Sequence, residues 1–212
     1  KMSGEGSCWL VVKGQELDRA VRMESRQSER LAAVLVRALY DDPRIRYMFP
    51  DDLERKRALP GIVLKAVQLS QQYGEIYTTQ NLDGGALWIG PNRVRSHGDY
   101  LQMVRWPFPR MESNRRRCVK LMTLLARIHR QLLSESHWYL MALGASTEKH
   151  EVRGRLIEPI LARADAGGLP CYLEVFNERT LPMFERYGFR IAAGGRVPGG
   201  GPDFWAMTRK GR

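Results

Sequence analysis

The chain has 212 residues, of which 43% are hydrophobic and 27% charged, with a net charge of +11. That is enough apolar mass for one domain with a substantial core, in the proportions of a soluble globular protein. No run of about 18 apolar residues occurs, which argues against a bilayer-spanning helix, and the short apolar patch in KMSGEGSCWLVVKG lacks the flanks of a secretory signal.

CWLVVKG (8–14) reads as a short first strand, and residues 15–40 as a helix, because Leu31, Val34, Leu35 and Leu39 recur at helical spacing before Pro43 blocks continuation. RIRYMFPDD is a short turn or helix ending at Pro50. A helix over 51–73 follows, with Pro60 as a kink and Gly74 as its stop. EIYTT (75–79) and GALWIG (85–90) alternate as hairpin partners across QNLDG. Residues 93–135 are mostly helical with a break at WPFP (106–109). HWYLMALGA (137–145) is an apolar strand too continuous for an edge.

The spacing of Ile157, Ile160, Leu161 and Ala164 predicts a helix over 156–166, and CYLEV (171–175) is the next strand. NERTLPMFERYGF reads as a cap at Asn177, a short helix and a stop at Gly188. FRIAA and DFWAMTR close the chain as two strands around GGRVPGGGP. No repeat and no linker divides the chain, and an α/β domain is the economical reading.

Cys8, Cys118 and Cys171 are odd in number and far apart, with no CxxC pair. Free thiols in a reducing cytoplasm are expected, and no metal site. His97, His129, His137 and His150 are scattered and suggest no dyad. Arg105, Arg110, Arg115, Arg116, Arg117, Lys120, Arg127 and Arg130 stand against the single acid Glu112. A solvated helix face accounts for them; a nucleic-acid or acidic partner is the minor alternative, since no nucleic-acid module accompanies them.

The ordered series DDPRIRYMFPDD, GALWIGP, HWYLMALG, EPILARADAGGLPCYLEVFNERTLPMFERYGFRI and GPDFWAMTR, spanning most of residues 41–209, resembles the GNAT acyltransferase superfamily. The resemblance implies one GNAT-like domain: a mixed, mostly antiparallel sheet with splayed central strands, flanked by helices. Residues 1–135 would form a helical acceptor side, and 136–212 the coenzyme A-side core. It also implies acetyl-CoA or another acyl-CoA as co-substrate, and a small-molecule amine as acceptor. A homodimer is compatible with this reading.

In such proteins the pantetheine arm enters beside the splayed strand, here along Leu143, Gly144 and Ala145, with the pyrophosphate at the start of the next helix. Family members carry Gln/Arg-x-x-Gly-x-Gly/Ala there. This chain offers Glu151–Leu156, two residues shorter overall, with Gly154 between Arg153 and Arg155 and Leu156 in place of a small residue. The loop reads as an eroded cradle in which Arg153 and Arg155 compensate by charge and Leu156 obstructs. Phe184 stands where the family's thiolate-protonating Tyr is common. Tyr187, three residues on, is the substitute acid, or a core residue; Glu75 is the candidate base, or a solvated carboxylate. Asn177 matches a cofactor-arm position and is equally a helix cap. Tyr47, Phe49 and Trp88 match acceptor-side segments or are core, and Phe176 narrows the pocket. Two functions follow: acyl-CoA-dependent N-acyltransfer, or a GNAT fold repurposed for another small molecule.

Overall fold

A computed structural model describes residues 19–91, 112–146 and 150–212. The expected strand at 8–14, His97 and the WPFP break lie outside the described residues.

Seven strands form one sheet in the order β1-β2-β3-β4-β5-β7-β6. They are β1 (Ala20–Arg22), β2 (Gly74–Thr79), β3 (Gly84–Ile89), β4 (Trp138–Ala145), β5 (Cys171–Val175), β6 (Arg190–Arg196) and β7 (Asp203–Arg209). All neighbours are antiparallel except β4 and β5. The helices are α1 (Ser28–Leu39), α2 (Pro43–Met48), α3 (Asp52–Tyr73), α4 (Glu112–Leu132), α5 (His150–Ala166) and α6 (Leu181–Arg186).

Sequence dictates the helix starts. The Asp42 carboxylate accepts from Arg44 N at 2.8 Å ahead of Pro43, which needs no donor. The Asp51 carboxylate caps α3 by accepting from Glu54 N at 2.8 Å, and the helix runs on through Pro60. Leu31, Val34, Leu35 and Leu39 are buried along α1, as their spacing requires. That helix starts later than expected: residues 20–22 are instead β1, paired with Tyr77–Thr79.

Two layers of helix enclose the sheet. On one face α5 and α6 bury Leu156, Ile157, Ile160 and Phe184 against Trp88, Leu140 and Leu173. On the other, α1, α2, α3 and α4 bury Leu35, Phe49, Val63 and Leu121 against Ile76 and Leu87. Arg115, Arg116, Lys120, Arg127 and Arg130 are exposed on α4 while Cys118, Leu121 and Leu125 face inward, so this part of the basic run is the outer face of an amphipathic helix. Cys118 and Cys171 are free and buried. No helix among the described residues is long and apolar enough to cross a membrane.

Candidate functional site

β4 and β5 are the one place among the described strands where the ladder fails. They pair only over Trp138–Leu140 and Cys171–Leu173, although β4 stays paired to β3 as far as Ala145 and β5 to β7 as far as Val175. Beyond Leu140 and Leu173 the two strands therefore part, and the facing backbone edges have no strand between them. A bulge coincides with the parting. Leu87 opposes Ala142 and Trp88 opposes Leu140, so Met141 is the extra residue. Bulges of this kind bend a strand and re-aim its side chains, often beside an active site.

The gap is a cleft of about 290 Å³. Of the residues expected at a cofactor site, Leu143, Gly144, Arg153, Asn177 and Phe184 line it, as does Phe176 from the acceptor set. Gly144 is there for packing: a Cβ would lie 2.9 Å from Ala38 Cβ and 3.0 Å from a Leu35 methyl, so α1 rests directly on β4. Arg153, half-buried on the first turns of α5, lines the cleft with an Nε that has no hydrogen-bond partner among the described residues. Asn177 is a cap as well as a cleft residue, its side-chain Oδ1 accepting from Arg179 N at 3.1 Å. Phe184 meets Phe189 edge to face, with ring centroids 5.9 Å apart.

Other expected site residues are placed elsewhere. Helix α5 begins at His150, not at 156, so Glu151–Leu156 is helix and not an open loop. Leu156 is wholly buried in the α5 core and obstructs nothing. The face of Gly154 is filled by Tyr187, whose Oη would sit 2.1 Å from a Cβ at that position. The Tyr187 hydroxyl donates to Glu158 Oε1 at 3.0 Å, and burial, then this carboxylate, hold its pKa above the ordinary value. It lies outside the cleft lining, as do Arg155 and the buried Ala145. Glu75 accepts from Tyr77 and from Arg163 of α5, on the sheet face opposite α3; its carboxylate is paired there and does not line the cleft. Trp88 is core. Tyr47 donates to Pro198 O at 3.4 Å, tying α2 to the β6–β7 turn.

Gly154→Ala tests the packing role. The added methyl meets three atoms of the Tyr187 side chain, an overpacking cost of ~1–3 kcal/mol that exceeds the helix-propensity gain of ~1 kcal/mol. Urea unfolding is expected to show a net loss of about 1 kcal/mol. In a Tyr187→Ala background the same change becomes neutral or stabilising.

Sequence reasoning missed a polar cluster on the α4 side of the sheet. His129 Nε2 and His137 Nε2 lie 2.6 Å apart, and His137 Nδ1 is 2.6 Å from Glu135 O. Nδ1 of His137 therefore carries a proton for the carbonyl, and its Nε2 accepts from His129. His129 stacks on Tyr172 at 3.9 Å, and the Tyr139 hydroxyl donates to Glu174 Oε2 at 2.9 Å. Burial lowers both imidazole pKa values, that of His129 to about 3. Glu174 lines the cleft. The one available signal was a lone charge inside the otherwise apolar strand CYLEV.

A second cavity, of about 150 Å³, adjoins the first and shares Leu39, Arg44, Met141 and Ala142 with it. Phe49, from the expected acceptor set, lines it together with Val63, Ala66, Leu125 and Tyr139.

No protein-family model matches the chain. It is similar to an uncharacterized N-acetyltransferase of Schizosaccharomyces pombe, 28% identical over 184 residues that cover 80% of this chain and 73% of the relative. Among solved structures, a histone acetyltransferase HPA2-related acetyltransferase from Corynebacterium glutamicum superposes with a TM-score of 0.61 at 20% identity, over 92% of this chain and 96% of that one. The Drosophila melanogaster polyamine N-acetyltransferase gives 0.60 at 11% identity, over 90% and 98%. These structures share the architecture, and the relative in sequence is an N-acetyltransferase by name. With its mixed sheet parted between β4 and β5, the chain has the GNAT-like fold of these acetyltransferases.

Proposed function

We propose that the chain transfers an acyl group, acetyl in the simplest case, from its coenzyme A thioester to the amino group of a small molecule. The observation that carries this reading is the parting of β4 from β5 over a cleft that Arg153 lines with an unpartnered buried Nε. The pantetheine arm, an extended chain bearing amides, fits between the facing strand edges. Leu143 and Gly144 supply the β4 edge, and Asn177 and Phe184 the opposite wall. Arg153 is placed to meet the cofactor's phosphates with a charge-assisted bond. Rate enhancement comes from holding the two reactants together and from main-chain donors around the Met141 bulge facing the developing oxyanion. Phe184 brings no hydroxyl to the leaving thiolate, whose ordinary pKa of about 8.5 makes it a tolerable leaving group without one.

The two parts of the chain act as one unit in this reading, since acceptor-side helices and cofactor-side core share one sheet. A second reading, a GNAT fold repurposed for another small molecule, is favoured by Phe184 and by the capture of Gly154 by Tyr187, which leaves the α5 entrance without a glycine for phosphate.

Calorimetric titration with acetyl-CoA and free coenzyme A separates the two. Micromolar binding, weakened about tenfold in Arg153→Ala by loss of one bond to a charged group, is expected. No binding at millimolar ligand overturns acyl transfer and leaves repurposing.

A further inference from the structure

The cleft accounts for a thioester and leaves unassigned both the second cavity and Glu174. The second cavity lies between α2, α3, α4 and the sheet. Apart from Arg44 at its boundary, its described lining is aliphatic, aromatic or sulfur-bearing: Ile45, Phe49, Val63, Ala66, Leu125 and Met141 among them. Apolar cavities of this volume stay dry and take a ligand about as large as one benzene ring. It adjoins the cleft across Met141 and Ala142, the bulged stretch of β4.

Glu174 stands on the cleft side of that boundary. Tyr139 links the two spaces, since its ring lines the apolar cavity and its hydroxyl holds Glu174 Oε2. Behind them, Tyr172, the His129 ring stacked on it and His137 edge-on to His129 fill the sheet face. A carboxylate oriented by a fixed phenol, at the junction of an apolar hole and the proposed thioester channel, is what an apolar amine requires. Arg44 also lines both spaces, with its guanidinium 5.3 Å from the Phe176 ring centroid. It pairs with Asp42 at 3.7 Å, so exclusion of an acceptor carrying further cations rests on the apolar lining of the cavity.

Resting on the acyl-transfer reading for its chemistry, we propose that the acceptor is a primary amine bearing one apolar group the size of a single ring or short alkyl chain. That group seats in the 150 Å³ cavity, and the nitrogen lies at Glu174. The nitrogen lone pair forms the new C–N bond at the thioester carbonyl, and an N–H proton passes to the Glu174 carboxylate. Collapse of the tetrahedral adduct breaks the C–S bond. The thiolate leaves and takes up one proton, so amine and thioester become amide and thiol with no redox change.

The amine site is tested without cofactor by titrating the full chain with ethylamine, butylamine, hexylamine, 2-phenylethylamine, dodecylamine and spermidine. Affinity is expected to rise about fourfold per methylene, the transfer value of a buried CH₂, up to hexylamine and 2-phenylethylamine, and then to level off. Spermidine should bind no better than ethylamine. Ala66→Phe fills the cavity and should abolish the chain-length dependence. Should that variant not fold, Leu125→Ala widens the same space and should move the optimum to longer chains. Affinity independent of chain length, or tightest for spermidine, overturns the assignment.

For Glu174, Glu174→Gln should lower kcat at least about 100-fold and remove the acid limb of the kcat profile, with the effect falling on kcat rather than KM. An unchanged profile overturns its role as base. If acetyl-CoA fails to bind while the chain-length series holds, acyl transfer falls and the amine site stands.

Discussion

Acidification from pH 6.5 to 5 is expected to destabilise the protein steeply, before carboxylates begin to titrate. His129 and His137 share one Nε2···Nε2 contact of 2.6 Å, which accommodates a single proton. A second would set two N–H groups against each other. Burial is the larger cause, and it carries His129 from the ordinary 6.5 to about 3; His137 is lowered by burial too, although Glu135 pulls the other way. The folded pKa values lie below the unfolded ones, so the unfolded chain binds more protons throughout this window. The stability is fully present above pH 6.5 and is lost as pH falls towards the folded values. Each histidine contributes up to ~1.4 kcal/mol per pH unit, and His129 alone accounts for a loss of the order of 4 kcal/mol by pH 3.5. Urea unfolding as a function of pH checks this. A slope no steeper in the parent than in a His129→Gln, His137→Gln double variant would show that the pair is not buried neutral. Because His129 stacks on Tyr172 beside Tyr139, the wall that orients Glu174 should loosen in the same range.

Trp88→Ala should cost ~3–5 kcal/mol, the usual loss for a large aromatic removed from a core. Trp88 is fully buried and lies in the α5 cluster, opposite Leu140 at the point where β4 begins to bulge. Trp88→Phe separates packing from polarity. The indole Nε1 is buried without a hydrogen-bond partner among the described residues, an arrangement that costs about 1–3 kcal/mol. Phe removes that donor while keeping most of the ring, so its loss of volume is largely offset. Thermal or chemical unfolding should place it far closer to the parent than Ala. Amine KM should be unchanged in Trp88→Phe, because the side chain faces α5 and not the acceptor cavity; a raised KM would return Trp88 to the acceptor side.

The strands at 74–79, 84–89, 138–145 and 171–175 were legible to within one or two residues, because alternation or unbroken apolar runs bounded by turn residues leave little choice. β1 was not legible. Three edge residues have no period to read, and tertiary pairing with β2 makes them a strand. The start of α5 was hidden by Glu151, Arg153 and Gly154, which interrupt the apolar pattern, although Val152 and Leu156 are buried one turn apart. That misplacement carried a chemical error with it, since Leu156 obstructs a loop but merely packs in a helix. The cleft's outline, with Gly144, Arg153, Asn177 and Phe184, followed from the family pattern. The histidine pair did not, because eight residues of separation across a helix end and a turn encode no distance. Tyr187 and Glu75 had suitable chemistry in the sequence, and each is occupied by a neighbour, Glu158 and Arg163, that only the fold brings near.

The three-residue junction between β4 and β5 also shapes how the molecule folds. β1–β4 and β5–β7 are each antiparallel ladders, and a short parallel ladder and the crossover helix α5 join them. Parallel pairing closes a long loop for little immediate gain and forms slowly. The chain therefore has two locally contiguous sheet halves whose union comes late and rests on α5 and on the core clusters of both sheet faces. A ligand seated in the parted strands adds backbone contacts across that union. It would bind two subdomains into one cooperative unit, and its free energy of binding would appear in the stability of both.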